Sequence, residues 1–390
     1  MIRKISFKNF YSFQDSFEMS FLTSKKNTFD YMQSKVDKYQ ISKIATIIGG
    51  NASGKTNIVR LFKFIQDFIT KRPTDKLENI SQETSLSYKT FFNNDNICEI
   101  KLELEKNQKI FFYTLKIQKN IVLLEKMQVK TKGKRLHNIF ERDSNGKLQL
   151  SEIYFDKINA LELKLPDIKN NVSVIAFFSE ISFKIDIMEE IKNMFSGLLW
   201  QVNMNESSLN DKNIYLASWI YTEIPEVFEE MKEFISKFDI GLESFNIDKK
   251  DNGSFDIKGI HGNKSLDFKY ESRGTKSLYE LLGPIFLAMK YKGLVVIDEL
   301  EMGLHPEAVE KLISYFLSES ENIMCQFIFS THSINILNKL DREQIFIVDK
   351  NNKGESEVYR VSDIENSRPD ENFVKKYMSG KYGGFPKIKV

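Results

Sequence analysis

The chain runs to 390 residues, enough for one large domain or two ordinary ones. With 41% hydrophobic and 28% charged residues it can bury a core, which excludes a chain disordered throughout. Lys and Arg (56) nearly balance Asp and Glu (54), so a histone-like coat on nucleic acid is excluded, although a local basic face is not.

The N-terminus, Met1-Ile2-Arg3-Lys4, leads into an alternation that predicts a strand over 2–10, with no apolar core of a signal peptide. Residues 24–43, rich in Lys, Asn and Ser, predict a polar connection, and Ile44–Ile48 a compact β run. Apolar residues at 58, 61, 62, 65, 68 and 69 then share one helical face. Strand patterns follow at Cys98–Leu104, Ile110–Ile117 and Ile121–Val129, punctuated as hairpins are, so an antiparallel sheet is expected. Residues 183–238 predict helices interrupted at Pro225, and 245–270 predict short strands turning at Asp251-Asn252-Gly253 and His261-Gly262. The last third alternates: helix after Thr275, strand Leu294–Ile297, helix after Pro306, then strands Gln326–Ser330 and Gln344–Val348, as in an α/β sheet. No apolar run is long enough to cross a bilayer, and no heptad pattern predicts a coiled coil. Cys98, Cys325 and four histidines make neither a disulfide framework nor a paired zinc site, so a reducing, cytoplasmic location is expected.

Four segments carry chemistry. Gly49-Gly50-Asn51-Ala52-Ser53-Gly54-Lys55-Thr56 satisfies G-x-x-x-x-G-K-[ST] between a predicted strand and a predicted helix. Its backbone N–H groups and helix N-terminus suit phosphates, Lys55 the β- and γ-phosphates, and Thr56 a Mg²⁺ ion, so Gly49, Asn51, Ala52, Ser53, Gly54, Lys55, Thr56 and Asn57 are candidate ATP contacts. Asp298 and Glu299 end an apolar strand, where Asp298 would hold Mg²⁺ and Glu299 would polarise the attacking water. His332, in Phe329-Ser330-Thr331-His332-Ser333, could sense the γ-phosphate, while Ser330, Thr331 or Ser333 could cap the next helix. Ser272-Arg273-Gly274 opens a helix, a second anion-binding end or an ordinary helix start. The basic run Lys130-Thr131-Lys132-Gly133-Lys134-Arg135 reads better as a solvated hairpin tip than as a phosphate grip.

These segments in this order resemble the ATP-binding-cassette family, in its RecF, OLD and SMC-like branch. Asp298-Glu299-Leu300-Glu301-Met302-Gly303-Leu304-His305-Pro306 is similar to that branch's D-E-P-x-x-x-L-H-P Walker B and D-loop, with Leu300 in place of the proline. Ser272 and Gly274 match its signature loop and His332 its switch histidine; no Q-loop glutamine is assigned, Gln118 and Gln128 lacking the context. Phe140-Glu141-Arg142 and the tail Tyr377–Pro386 resemble the AAA ATPases of abortive-infection and restriction-linked operons, of the AbiLi and RloA type; the tail itself reads first as a docking segment.

The resemblance implies an α/β head with a mixed core sheet, an antiparallel β subdomain and a short helical insertion, without a long coiled coil. Its expected parts are 1–182, an insertion at 183–240, and 241–390. It implies a head-to-tail homodimer or higher homo-oligomer, each signature serine meeting the ATP of the other copy. The expected role is an ATP-hydrolysing switch on an operon-encoded effector in antiphage defence. A RecF-like repair ATPase that binds nucleic acid, or an ATP-bound scaffold with little turnover, are the alternatives. Only 58 residues follow His332, too few for the nuclease domain of the OLD type, so no nuclease is expected in this chain.

Overall fold

The computed structural model describes residues 1–23, 30–70, 86, 88–156, 167–179, 185–196, 198–201, 211–237, 241–318 and 325–385. In chain order, β1 (Ile2–Lys8), β2 (Phe17–Ser20), β3 (Leu22–Thr23), β4 (Tyr31–Gln33), β5 (Gln40–Ser42) and β6 (Ile44–Ile48) precede α1 (Lys55–Thr70). A meander follows: β7 (Cys98–Lys106), β8 (Lys109–Gln118), β9 (Ile121–Thr131), β10 (His137–Arg142) and β11 (Leu148–Leu150). Next come α2 (Val174–Phe178), α3 (Asp186–Ser196), β12 (Leu198–Gln201), α4 (Asp211–Glu223) and α5 (Pro225–Ser236). Then β13 (Ser244–Lys249), β14 (Phe255–His261) and β15 (Lys264–Asp267) lead to α6 (Arg273–Tyr291), β16 (Leu294–Ile297) and α7 (Pro306–Ser318). The described chain closes with β17 (Gln326–Ser330), β18 (Ile345–Lys350), β19 (Ser356–Arg360) and α8 (Phe373–Met378).

The central sheet has the order β12-β16-β17-β6-β18-β19, parallel except for β19. Its inner strands β16, β17 and β6 are buried at every position, as burial by helices on one side and a second layer on the other requires. Ile44 and Ile48 point to the core shared with α4 to α8, whereas Ala45 and Ile47 point to the core shared with α1. The predicted apolar face of α1 is buried: Ile58, Leu61, Phe62, Ile65, Phe68 and Ile69 are all less than 10% exposed. That helix lies between the central sheet and a seven-stranded antiparallel sheet, β11-β10-β9-β8-β7-β1-β2. The two sheets are also stapled by one side chain. Gln326 at the start of β17 accepts from the Ile2 N–H (2.8 Å) and donates to the Ile2 and Ser42 carbonyls (3.0 Å each), imitating a strand partner with its amide.

Three departures from the expected pattern have physical causes. Residues 30–42 are not a plain connection: they carry β4 and β5, which with β3 form a small antiparallel sheet of strands too short to show a period. The stretch expected to be helical at 183–238 contains β12, which pairs parallel with β16 and so belongs to the central sheet. Pro225 does divide the helices, standing as the first residue of α5 where its missing N–H costs nothing. The helix expected after Ser333 is a short 3₁₀ turn, Ile334–Lys339. The expected part boundaries at 182 and 240, and Pro386 of the tail, lie outside the described residues. The rest of the tail docks: Tyr377 and Tyr382 are buried, the Tyr377 hydroxyl donates to Gly384 O (2.9 Å), and Gly384 N donates to Asp349 of β18 (2.9 Å). Residues 132–136 form the exposed turn between β9 and β10, the hairpin tip foreseen for the basic run. Among the described residues no helix is long and apolar enough to cross a membrane.

Candidate functional site

The parallel order places three loops at the carboxyl edge of one sheet, after β6, β17 and β16, which are adjacent in that sequence. Gly49 leaves β6 so close to β18 that a Cβ would stand 2.2 Å from the Val348 carbonyl oxygen. Ala52 has φ +60° and Gly54 φ +121°, and the loop curls into the first turn of α1. Asn51 and Ala52 are exposed at its crest, and Thr56 is half-buried. Lys55 is buried, and its ammonium donates to the loop's own Gly49 and Gly50 carbonyls at 2.9 and 3.0 Å. Burial pushes its pKa down, against the opposing pull of Asp298, Glu299 and Glu301. The buried Ser53 hydroxyl has no hydrogen-bond partner. An orphan hydroxyl, a backbone stripped of side chains at 49 and 54, a buried cation and a helix N-terminus together fit a triphosphate.

Asp298 and Glu299 follow β16 directly. Asp298 is buried and accepts from the Ser330 hydroxyl at 2.5 Å; the same hydroxyl accepts from Glu299 N at 2.8 Å. Glu299 has φ +50°, a left-handed conformation that a non-glycine residue holds only when its surroundings impose it. Leu300, standing where the related motif has proline, is fully buried and donates its N–H to Ser330 O at 3.0 Å. Leucine therefore supplies an N–H that proline lacks. Glu301 ties this loop to the next, accepting from the Thr331 hydroxyl (2.6 Å) and from His332 N (2.5 Å). The His332 imidazole is pushed below its ordinary value by loss of water around the ring and then by the Lys55 cation, against Glu301, Glu299 and Asp298. Lys55, Asp298, Glu299 and His332 thus lie within one another's fields.

Ser272 and Gly274 stand elsewhere, against the loop that follows the acids. The Ser272 hydroxyl caps α6, accepting from Thr275 N at 3.1 Å, a contact worth about 1 kcal/mol. A Cβ on Gly274 would lie 3.2 Å from Gly303 O. Ser272, Gly274, Leu304, His305 and Lys311 line an open cavity of about 520 Å³. In its wall, His261 Nδ1 faces Gly241 O (2.9 Å) and Nε2 faces the buried Glu271 carboxylate (2.8 Å). Both ring nitrogens meet acceptors, so the imidazolium form is favoured, and the Glu271 hydrogen bond raises the pKa above 6.5. A raised folded pKa contributes stability that is complete below 6.5 and lost as pH rises through the folded value. Melting temperatures from pH 6 to 9 should therefore fall more for wild type than for His261→Gln; parallel curves would refute the pair's role.

Several side chains that hold the site escaped the sequence reading. Glu301 was legible only as the third acid of Asp298-Glu299-Leu300-Glu301, and Ser330 only as a candidate cap. Ser333 sits at the cap position, but its side chain makes no capping bond. Asn57 turns its amide to Ser12 and Arg60. Gln118 and Gln128 donate to Asp95 O and Asn138 in the antiparallel layer.

Residues 44–338 match the family model described as "AAA domain, putative AbiEii toxin, Type IV TA system". The chain is 24% identical over 325 residues to "Retron Vc95 probable ATPase" of Vibrio cholerae serotype O1 biovar El Tor, a match to 76% of this chain and 59% of that protein. The chain thus spans less than two thirds of that relative's length. Among solved structures it is similar to the SmcHead bound to the C-winged helix domain of ScpA, with TM-score 0.51, 16% identity, and 92% and 97% of the two chains covered. The SMC head domain from Thermotoga maritima aligns over 92% and 98% with TM-score 0.45 and 15% identity. The SmcHead likeness shows the fold of an SMC ATPase head.

Proposed function

This chain belongs to the AbiEii-like AAA-domain family, and from that premise we propose that it is an ATP-hydrolysing switch controlling a partner effector in bacterial antiphage defence. The convergence of Lys55, Asp298, Glu299 and His332 at one sheet edge carries this reading. Lys55 would leave its own carbonyls for the β- and γ-phosphates, Glu299 would polarise water, and His332 would meet the γ-phosphate. Thr56 and Asp298 would hold Mg²⁺, which when bound offsets the phosphate charge. Ser272 and Gly274 stand by the 303–305 loop and face a cavity, so they would complete the site of a second copy, head to tail.

The parts we propose are 1–182, 183–240 and 241–390, with the docking insertion confined to α4 and α5 because β12 belongs to the central sheet. Tyr215, Leu216 and Trp219 are exposed on α4, as a docking face needs. ATP could alter effector affinity only by favouring one head arrangement. Co-purification with the neighbouring gene product should succeed for wild type and fail for Trp219→Glu. Protection from phage by this chain alone would refute the partner-dependent reading. A nucleic-acid reading has one observation in its favour, the exposed Lys130, Lys132, Lys134 and Arg135.

A further inference from the structure

A chain of hydrogen-bonded side chains reaches the glycine loop from the turn after β1 and from β19. Arg60 donates to Asn57 Oδ1 (2.9 Å), and Asn57 Nδ2 donates to Ser12 Oγ (2.8 Å). The Ser12 and Ser356 hydroxyls are 2.8 Å apart, and Ser356 Oγ is hydrogen-bonded to the Ser53 carbonyl oxygen. A carbonyl oxygen only accepts, so the Ser356 hydroxyl is the donor to the loop, held in place by Ser12, which Asn57 and Arg60 back in turn.

The relay joins three distant segments: the turn after β1, the first turns of α1, and the first residue of β19. Ser356 is fully buried, and its N–H donates to Ser12 O at 2.8 Å. Asn9 and Tyr11 hold the turn in left-handed conformations, φ +54° and +50°. The relay also abuts the loop directly. A Cβ on Gly54 would come within 2.7 Å of Ser356 Oγ and 2.8 Å of Ser12 Oγ.

We propose that Ser356 and Ser12 are positioning residues for nucleotide binding. By drawing the Ser53 carbonyl toward β19, they turn the N–H of the same peptide, that of Gly54, toward the phosphate side. The two groups of a trans peptide point in opposite directions, so fixing one aims the other. The inference rests on the ATP reading of this loop and adds a contact 303 residues away on which affinity depends.

The test uses the full-length chain, with ATP and ADP affinities by calorimetry, KM and kcat for hydrolysis, and melting temperature without nucleotide. Ser356→Ala should weaken both nucleotides about five- to tenfold, the worth of one well-placed hydrogen bond. KM should rise by a larger factor than kcat falls, and Ser356→Thr, which keeps the hydroxyl, should recover most of the loss. Ser12→Ala leaves the Ser356 bond to Ser53 but removes the hydroxyl that holds Ser356 in place, so it should weaken binding by a smaller factor. Wild-type affinity in Ser356→Ala, or a lower kcat with KM unmoved, overturns the proposal. If Ser356→Ala does not fold, Ser12→Ala decides, and unchanged affinity there overturns it equally. A wild-type chain that binds no ATP would instead bring down the loop assignment, and this inference with it.

Discussion

Lys55→Ala should lose ATP binding by roughly 30- to 4,000-fold while its nucleotide-free fold persists. Truncating one member of a buried, hydrogen-bonded charge pair costs about 2–5 kcal/mol, and that range gives the factor. Nothing else in the loop replaces the cation, because the remaining polar groups are the neutral backbone, the Asn51 amide and two hydroxyls. The free protein reacts in the opposite sense. There the ammonium is buried on two neutral carbonyls and its pKa is pushed down, so its removal relieves a desolvation cost. Melting curves should therefore match or exceed wild type without ATP and lose the ATP-induced rise. An affinity within threefold of wild type by calorimetry would refute the assignment of this loop.

Glu299→Gln should bind ATP normally and hydrolyse it about 100- to 10,000-fold more slowly, the usual contribution of a positioned general base. Glutamine keeps the length and can hold the same φ of +50°, whose N–H bond to Ser330 does not involve the side chain. What it loses is the carboxylate that polarises water. The slow variant should accumulate the ATP-engaged dimer, visible as a mass increase in light scattering with ATP that is absent with ADP. Turnover near wild type would remove Glu299 from the chemistry and return it to the role of a strained turn residue.

Much of the architecture was legible because it obeys simple periods. The α1 and α6 faces follow the 3.6-residue repeat, and β7, β8 and β9 follow alternation nearly to their ends. The failures have equally local causes. The four residues of β12 sit in a mainly helical stretch, and only pairing with β16 distinguishes them. Glu125 looks like an ordinary polar strand position, yet it is fully buried. A register shift opposite Lys116 and Ile117 changes which residues of β9 face inward, so Val122, Glu125, Met127 and Val129 all lie inside. There the carboxylate is met by Arg142 (3.2 Å), Ser173 (2.7 Å), Tyr113 (3.1 Å) and Val174 N (2.9 Å). The site divides in the same way. Lys55, Asp298, Glu299 and His332 each end or begin a recognisable element, whereas Ser12 and Ser356 are single serines whose meaning exists only once the chain has folded.

The place of β6 between β17 and β18 has a consequence for how the molecule is made. Both neighbours come from the far end of the polypeptide, as does Gln326, the partner of Ile2. At translation rates of about 5–20 residues per second, roughly 15–60 s separate the synthesis of the glycine loop from that of the strands that flank it. Throughout that interval β6 exposes two unpaired edges and its apolar residues, a state prone to wrong pairing and to capture by chaperones. Loop closure over nearly 300 residues must also precede the contacts that stabilise it, which makes the maturation of this head slow. The glycine loop is thus synthesised early and acquires its walls among the last of all the parts, so on a ribosome-bound chain the loop stands without its flanking strands until β18 has emerged.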